Sequence, residues 1–333
     1  MLCIFGALRL VFGVRRTAPV ARSGHPWAFA DASVAPGGHA AIQAQAARAF
    51  GVSARLVGCV GDDAMAAPLL QPLQRSGIDL TGVRRCSNHS TGLDVVTDEA
   101  SNAELVLRVQ GANAETSSAQ VSELALHASR VLLVGMDIDW RESLALAWRA
   151  RAAGCQVVAF ASPVPVEPTH CEPIDVLVVP DDEFFRLCEV HALCSGDPVA
   201  DARHLARRFD VELIVLLAQG GACLARRDGD CLLMPATPDQ RHPPAGSSDV
   251  YVGVLCAALA ADLPMERAMA LAATAVEWAA ISPHESARFP TRAEIESALA
   301  TRAPESERSL QRPPPPSNYS RRHKAAPPRP ETR

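Results

Sequence analysis

Residues 243–259 read Pro-Pro-Ala-Gly-Ser-Ser-Asp-Val-Tyr-Val-Gly-Val-Leu-Cys-Ala-Ala-Leu, and the reading of the chain turns on them. A turn of small residues, Ala245 to Ser248, runs into an apolar helix, with Asp249 at the junction. The first turn of a helix leaves backbone N–H groups without intrahelical acceptors, and its dipole favours negative charge. Small residues let a phosphate approach those groups. A carboxylate at the same point can take the proton of an incoming hydroxyl. An anion cradle beside a base is what phosphoryl transfer from a nucleotide needs. The same residues also describe a buried helix that Asp249 merely caps.

The chain around this stretch is long enough for one large or two small domains, at 333 residues. Apolar residues make up 48% of it, enough for a large core, and a net charge of −5 gives no basic footprint for nucleic acid. Its ten cysteines have irregular spacing and no CxxC, and several sit inside apolar runs, so buried free thiols are expected rather than a disulfide framework. Residues 1–14 are apolar, but the basic pair Arg15-Arg16 follows them, the reverse of the order in a signal peptide. No stretch is a membrane span without a charge or a break. These features predict a cytoplasmic protein with no membrane or nucleic-acid partner.

From Val121 onward, apolar strands alternate with amphipathic helices: strands at 131–136, 156–161, 174–179 and 213–217, helices at 141–153, 182–193 and 197–209. Unbroken Val/Leu/Ile strands between such helices predict a mostly parallel sheet covered on both faces, with ligands beyond the strands' C-terminal ends. Asp137 lies at one such end, as a ligand contact or as a cap for the helix at Trp140. Upstream, Leu2 to Phe12 reads as one strand, and Pro36-Gly37-Gly38 opens an Ala-rich helix to about Phe50. Asp62-Asp63 follow a strand at 55–60 and are expected to cap the next helix. Residues 90–96 and 105–110 alternate as paired strands do, around a turn at 98–102. Past about Ala303, proline-rich sequence predicts an unpacked tail over 301–333.

The stretch at 243–259 resembles the C-terminal signature of the ribokinase (PfkB) family of carbohydrate kinases, Asp-Thr-x-Gly-Ala-Gly-Asp-x-Phe-x-Gly. Gly246, Asp249 and Gly253 match it, Tyr251 stands at the Phe position, and Pro243 and Ser248 depart from it. Gly37, Gly38 and Ala44 likewise match the family's first signature, Gly-Gly-x-x-x-Asn-x-Ala, with Ile42 in place of its Asn. The resemblance covers residues 1 to about 300. It implies an α/β fold, a ribokinase-like three-layer α/β/α sandwich with a mostly parallel central sheet. A small β-lid would come from segments about 7–35 and 90–110.

The function it implies is transfer of the γ-phosphoryl of ATP, with Mg2+, to a hydroxyl of a sugar or sugar-like acceptor. Asp249 would be the catalytic base, and Gly246, Ser247 and Ser248 the anion hole. Gly37, Gly38, Asn113 and Asp137 would hold the substrate, and Gly221 the nucleotide. Asp181, at the place of the family's Pro-Asn-x-x-Glu motif, would be linked to the metal, with Phe184 replacing the Glu. A homodimer through the lid is also implied. Arg9 and Val11 take the places of a substrate-binding Asn and Asp, and Arg9 is expected to be solvated at the sheet edge. The departures at Val11, Ile42, Ala161, Phe184, Pro243 and Ser248 leave two other readings: a weak or inactive binding protein of this fold, and a kinase for a less polar acceptor such as a nucleoside.

Overall fold

A computed structural model describes residues 1–16, 29–98, 105–165, 171–193, 195–218, 221–235, 246–281 and 289–301. The expected turns at 98–102, Gln219-Gly220 and Pro283-His284-Glu285, the segment Pro243 to Ala245 and the tail past Thr301 lie wholly or mostly outside the described residues.

The chain begins with β1 (Leu2–Phe5), β2 (Arg9–Arg16), β3 (Phe29–Gly37), α1 (His39–Phe50), β4 (Ala54–Gly61), α2 (Ala66–Arg75) and β5 (Asp79–Cys86). It continues through β6 (Gly92–Asp98), β7 (Leu105–Val109), α3 (Glu123–His127), β8 (Val131–Gly135), α4 (Trp140–Ala152), β9 (Gln156–Phe160) and β10 (Val176–Pro180). The last part holds α5 (Asp181–Val190), α6 (Pro198–Phe209), β11 (Glu212–Leu216), β12 (Gly221–Ala225), β13 (Cys231–Pro235), α7 (Ser247–Ala260), α8 (Met265–Ile281) and α9 (Arg292–Ala300).

Among the described residues, nine strands form one sheet in the order β13-β12-β11-β10-β9-β8-β1-β4-β5. The pairings from β11 to β5 are all parallel, and β12 alone runs against the rest, pairing antiparallel with both β11 and β13. Its strands are apolar on both faces because both faces are covered. In β1, Leu2 and Ile4 enter one core and Cys3 and Phe5 the other, as the two-residue period of a strand requires. The first core packs α1, α2, α7 and α8 on the sheet, and the second packs α4, α5 and α6. Each fully buried Leu or Val contributes about 1.5–3 kcal/mol. Eight of the nine described cysteines are buried, as their apolar neighbourhoods indicate.

A second sheet, in the order β3-β2-β6-β7, is formed by the amino-terminal strand pair and the pair at 92–109. The single strand expected over 2–12 is therefore two: β1 sits in the large sheet and β2 in the small one. The break falls at Gly6 to Leu8, where the Leu8 amide leaves the ladder to donate to Asn113 Oδ1 at 2.7 Å. Asp63 caps α2, accepting from the amides of Met65 and Ala66, whereas exposed Asp62 only faces Arg85.

Candidate active site

Asp249 lies in the first turn of α7, a helix buried on nearly every side between α1, α8 and the sheet. Gly246 caps that helix at φ 82°, a left-handed conformation that L side chains avoid, and turns the chain into it. Ser247 and Ser248 occupy the first two helical positions, whose amides have no acceptor inside the helix. Across from them, β3 ends at Gly37, and Gly38, at φ 81°, turns the chain into α1. A Cβ on Gly38 would stand 2.6 Å from the Ala7 carbonyl oxygen, so the turn admits no side chain.

The two helix starts meet side chain to side chain. His39 Nδ1 lies 2.9 and 3.0 Å from the two carboxylate oxygens of Asp249. One turn further along α1, Gln43 Nε2 donates to Asp249 Oδ1 at 3.0 Å. The helices approach closely enough for this because Gly253, one turn beyond Asp249, has no side chain: a Cβ there would stand 2.5 Å from the Gln43 carbonyl oxygen. His39 packs edge-on against Phe160 at the end of β9, with ring centroids 5.1 Å apart. Burial pushes the His39 imidazole down, but the charge and hydrogen bond of Asp249 and the charge of Asp137 outweigh it and hold the pKa above the ordinary value.

A buried ionic cluster lies beside this pair. Arg9 is 1% exposed, which overturns the solvated position expected for it. Its Nη1 donates to Asp137 Oδ2 at 2.9 Å, its Nη2 donates to Gln110 Oε1 at 3.1 Å, and its Nε sits 3.7 Å from Asp94 Oδ1. Arg108 closes the cluster with two 3.0 Å hydrogen bonds to Asp94. The guanidinium pays for its burial through these pairs. The second oxygen of Asp137 accepts from the Ala7 amide at 3.4 Å. Burial raises the Asp137 pKa, but the charges of His39 and Arg9, with the hydrogen bonds, hold it below the usual carboxylate range.

The structure thus gathers Gly37, Gly38, Asp137, Gly246 and Asp249 around the ends of α1, α7 and β8. Asn113 is nearby, but its side chain is engaged with the chain itself, accepting from the Leu8 amide and donating to the Leu8 and Gln110 carbonyls. The cap of α4 is Asp139, which leaves Asp137 free of that role. Gly221 opens β12 at φ 80°, in the turn from β11. Asp181 begins α5, and Phe184 is packed in the core where a carboxylate was sought. Among the described residues no group of three or more His, Cys, Asp and Glu could hold a metal ion.

The sequence reading passed over His39, Gln43 and Asp94. A signal was present for the first two: residues four apart share a helix face, so a histidine right after the glycine pair and a glutamine at the next turn face one partner.

The pfkB family carbohydrate kinases match residues 17–290 of this chain. The chain belongs to that family. A ribokinase from Schizosaccharomyces pombe is 23% identical over 226 residues, spanning 66% of this chain and 70% of that protein. The structure of Arabidopsis thaliana ribokinase complexed with ribose and ATP superposes with a TM-score of 0.76, at 19% identity, over 90% of this chain and 98% of that one. Ribokinase from Thermotoga maritima superposes at 0.80, with 20% identity, over 90% and 99% of the two chains. At these identities the structural likeness shows the ribokinase-like fold and leaves the acceptor undetermined. No helix among the described residues of this pfkB-family chain is long and apolar enough to cross a membrane.

Proposed function

We propose that this pfkB-family protein transfers the γ-phosphoryl group of ATP to a hydroxyl of a sugar or sugar-like acceptor, with the base function resting on Asp249. The observation that carries this is the carboxylate of Asp249 in the first turn of a buried helix, beside the small-residue turn Gly246-Ser247-Ser248. Amides and dipole there offset negative charge that develops on the phosphoryl group. Gly37 and Gly38 give the acceptor close backbone approach. Gly221 sits on the strand-and-turn that resembles the family's nucleotide site.

Mg2+ would accompany the nucleotide as its counter-ion and offset phosphate charge, with Asp181 at the start of α5 the residue that would be linked to it. Val34, Val106, Leu107 and Val109 on β3 and β7 are exposed, which supports pairing of two copies through the small sheet.

A second acceptor class is favoured by one observation. Ile42 Cδ1 lies 3.7 Å from where a Cβ on Gly246 would stand, so hydrocarbon borders the cradle. That wall suits a nucleoside better than a free sugar.

The test is thermal unfolding with ATP, with and without magnesium, followed by ADP release on a panel of sugars and nucleosides. A ligand that binds only the folded state raises the melting temperature by mass action. Asp249→Asn should retain the ATP-dependent shift and lose turnover. Normal turnover in that variant would remove Asp249 from the reaction, and no shift at millimolar ATP would favour a protein that keeps the fold without the activity.

A further inference from the structure

Among the described residues the large sheet ends on β13, and Cys231, which opens that strand, is the one described cysteine that is not buried. A thiol reacts as its thiolate, so a reactive cysteine needs access and surroundings that favour negative charge. Cys231 has both. Helix α6 packs on β12 and carries the exposed Arg203, whose Nε donates to Cys231 Sγ at 3.3 Å. A neutral thiol sulfur is a weak acceptor, and an exposed guanidinium has water as an alternative. An Arg N–H aimed at that sulfur is the contact that stabilises a thiolate.

A second thiol stands beside it. The β12–β13 register pairs Ala225 with Cys231 and Cys223 with Leu233, and residues two apart share a strand face, so Cys223 is the diagonal neighbour of Cys231 on the face that α6 covers. The buried Cys223 donates its S–H to Cys231. Diagonal neighbours on antiparallel strands stand about 7–8 Å apart, outside the Cα separation of about 4.4–6.8 Å that a disulfide spans, so Cys223 serves as a donor and not as a bridge. The charged and titratable groups facing Cys231 are therefore Cys223 from β12, Arg203 from α6 and Asp230 from the hairpin turn. The Cys223 hydrogen bond, with the hydrogen bond and charge of Arg203, holds the Cys231 pKa below the ordinary thiol value, against partial burial and the charge of Asp230. The same hydrogen bond and burial push Cys223 up, so it keeps its proton. Burial alone pushes Cys256 up, and it leads the causes that take Cys3 to about 12.

We propose that Cys231 is a site of reversible thiol modification, exchanging with small-molecule disulfides, with Arg203 and Cys223 as the donors that hold its thiolate. The site is separate from the Asp249 junction, and its chemistry does not depend on phosphoryl transfer. The Cys231 thiolate attacks one sulfur of the small disulfide. A new S–S bond forms to Cys231 as the old one breaks, and the released sulfur leaves as a thiolate that takes a proton from water. Cys231 is oxidised to a mixed disulfide, and the other half of the small disulfide is reduced to a thiol. Excess small thiol runs the same step backwards.

The experiment uses the full folded chain in two arms. In the first, the protein is treated with oxidised glutathione at pH 7, quenched with acid and mapped by mass spectrometry of tryptic peptides. Arg226 and Arg227 place Cys223 and Cys231 on different peptides, so each is read alone. The glutathione adduct is expected on Cys231 at least about tenfold faster than on any of the eight buried cysteines, and excess reduced thiol should remove it. Equal labelling of the buried cysteines, or an internal Cys223–Cys231 disulfide in place of the adduct, overturns the proposal. In the second arm, the rate of iodoacetamide alkylation at Cys231 is followed against pH in the wild type, Arg203→Met and Cys223→Ala. The wild-type midpoint is expected below the ordinary thiol value of about 8.5, and each variant should move it up. Arg203 is exposed, so its replacement tests the contact without opening the core. A wild-type midpoint at or above about 8.5, or one indifferent to Arg203, overturns the proposal even where Cys223→Ala does not fold.

Discussion

Removing the Arg9 guanidinium tests whether the buried charges depend on one another as their geometry indicates. Arg9→Met fills much of the same volume but leaves Asp137 Oδ2 without its donor at 2.9 Å, and Asp94 with Arg108 alone. The Asp137 side chain is buried, and among the described residues its other oxygen accepts the long bond from Ala7 alone. Deleting one member of a buried pair costs about 3–5 kcal/mol, because the survivor has no water to return to. His39 also acts on Asp137 and offsets part of the loss, so the lower end, about 3 kcal/mol at pH 7, is expected. For a chain of this size that is a fall in Tm on the order of 6–12 °C. The pH dependence gives a second check. The depressed Asp137 pKa contributes stability that is present above the unfolded value of about 3.9 and lost as pH falls through the folded value. Arg9→Met removes much of that contribution, so the gap between variant and wild type is widest at neutral pH and narrows as pH falls below about 4. Urea unfolding at several pH values measures both. Arg9→Met with Asp137→Leu should regain most of the loss, because hydrocarbon replacing both partners leaves no orphaned charge. A single-variant loss under about 1 kcal/mol, or a gap that widens on acidification, would refute the reasoning.

Two further variants probe α7. The Tyr251 hydroxyl is buried with no hydrogen-bond partner among the described residues, so Tyr251→Phe should raise stability by up to about 1 kcal/mol in urea unfolding, and a clear loss would show that the hydroxyl is satisfied. Gly253→Ala would set a Cβ 2.5 Å from the Gln43 carbonyl oxygen and 2.8 Å from Ala46 Cβ, pushing α1 from α7 at about 1–3 kcal/mol and loosening the Gln43 hold on Asp249; thermal unfolding unchanged from wild type would show that the helices part freely.

The order of strands and helices was legible because the sheet is covered on both faces, which writes unbroken apolar runs into the sequence. One helix start was legible where capping chemistry marked it, at Asp63. The glycines were legible because a positive φ or a tight approach admits nothing else. Arg9 was not legible, because its partners Asp94, Gln110 and Asp137 lie 85 to 128 residues away and only the fold brings them together. The split of the first strand escaped for a similar reason. Leu2 to Phe12 is apolar almost throughout, and the break is made by Asn113, a residue from another segment that takes the Leu8 amide out of the ladder. His39 escaped because a lone histidine carries no signal of what packs against it; its contact with Asp249 appears only when the fold sets α1 against α7.

The charges at this junction also bear on what the protein accepts. With His39 protonated, the cations Arg9, Arg108 and His39 face the carboxylates Asp94, Asp137 and Asp249, each in contact with a group of opposite sign. Such a cluster offers no net attraction to an anionic acceptor, which would meet Asp94 and Asp137 as closely as it met the arginines. A polyhydroxylated acceptor gains little either: Asn113 is committed to backbone groups, and Val11 and Ile42 present carbon where the family pattern has hydrogen-bonding groups. An interaction must be stronger with the right acceptor than with water before it selects one. On the proposed phosphoryl-transfer reading, the hydrocarbon at Ile42 favours the nucleosides of the acceptor panel over free sugars, and equal turnover on both would count against that wall as a selector.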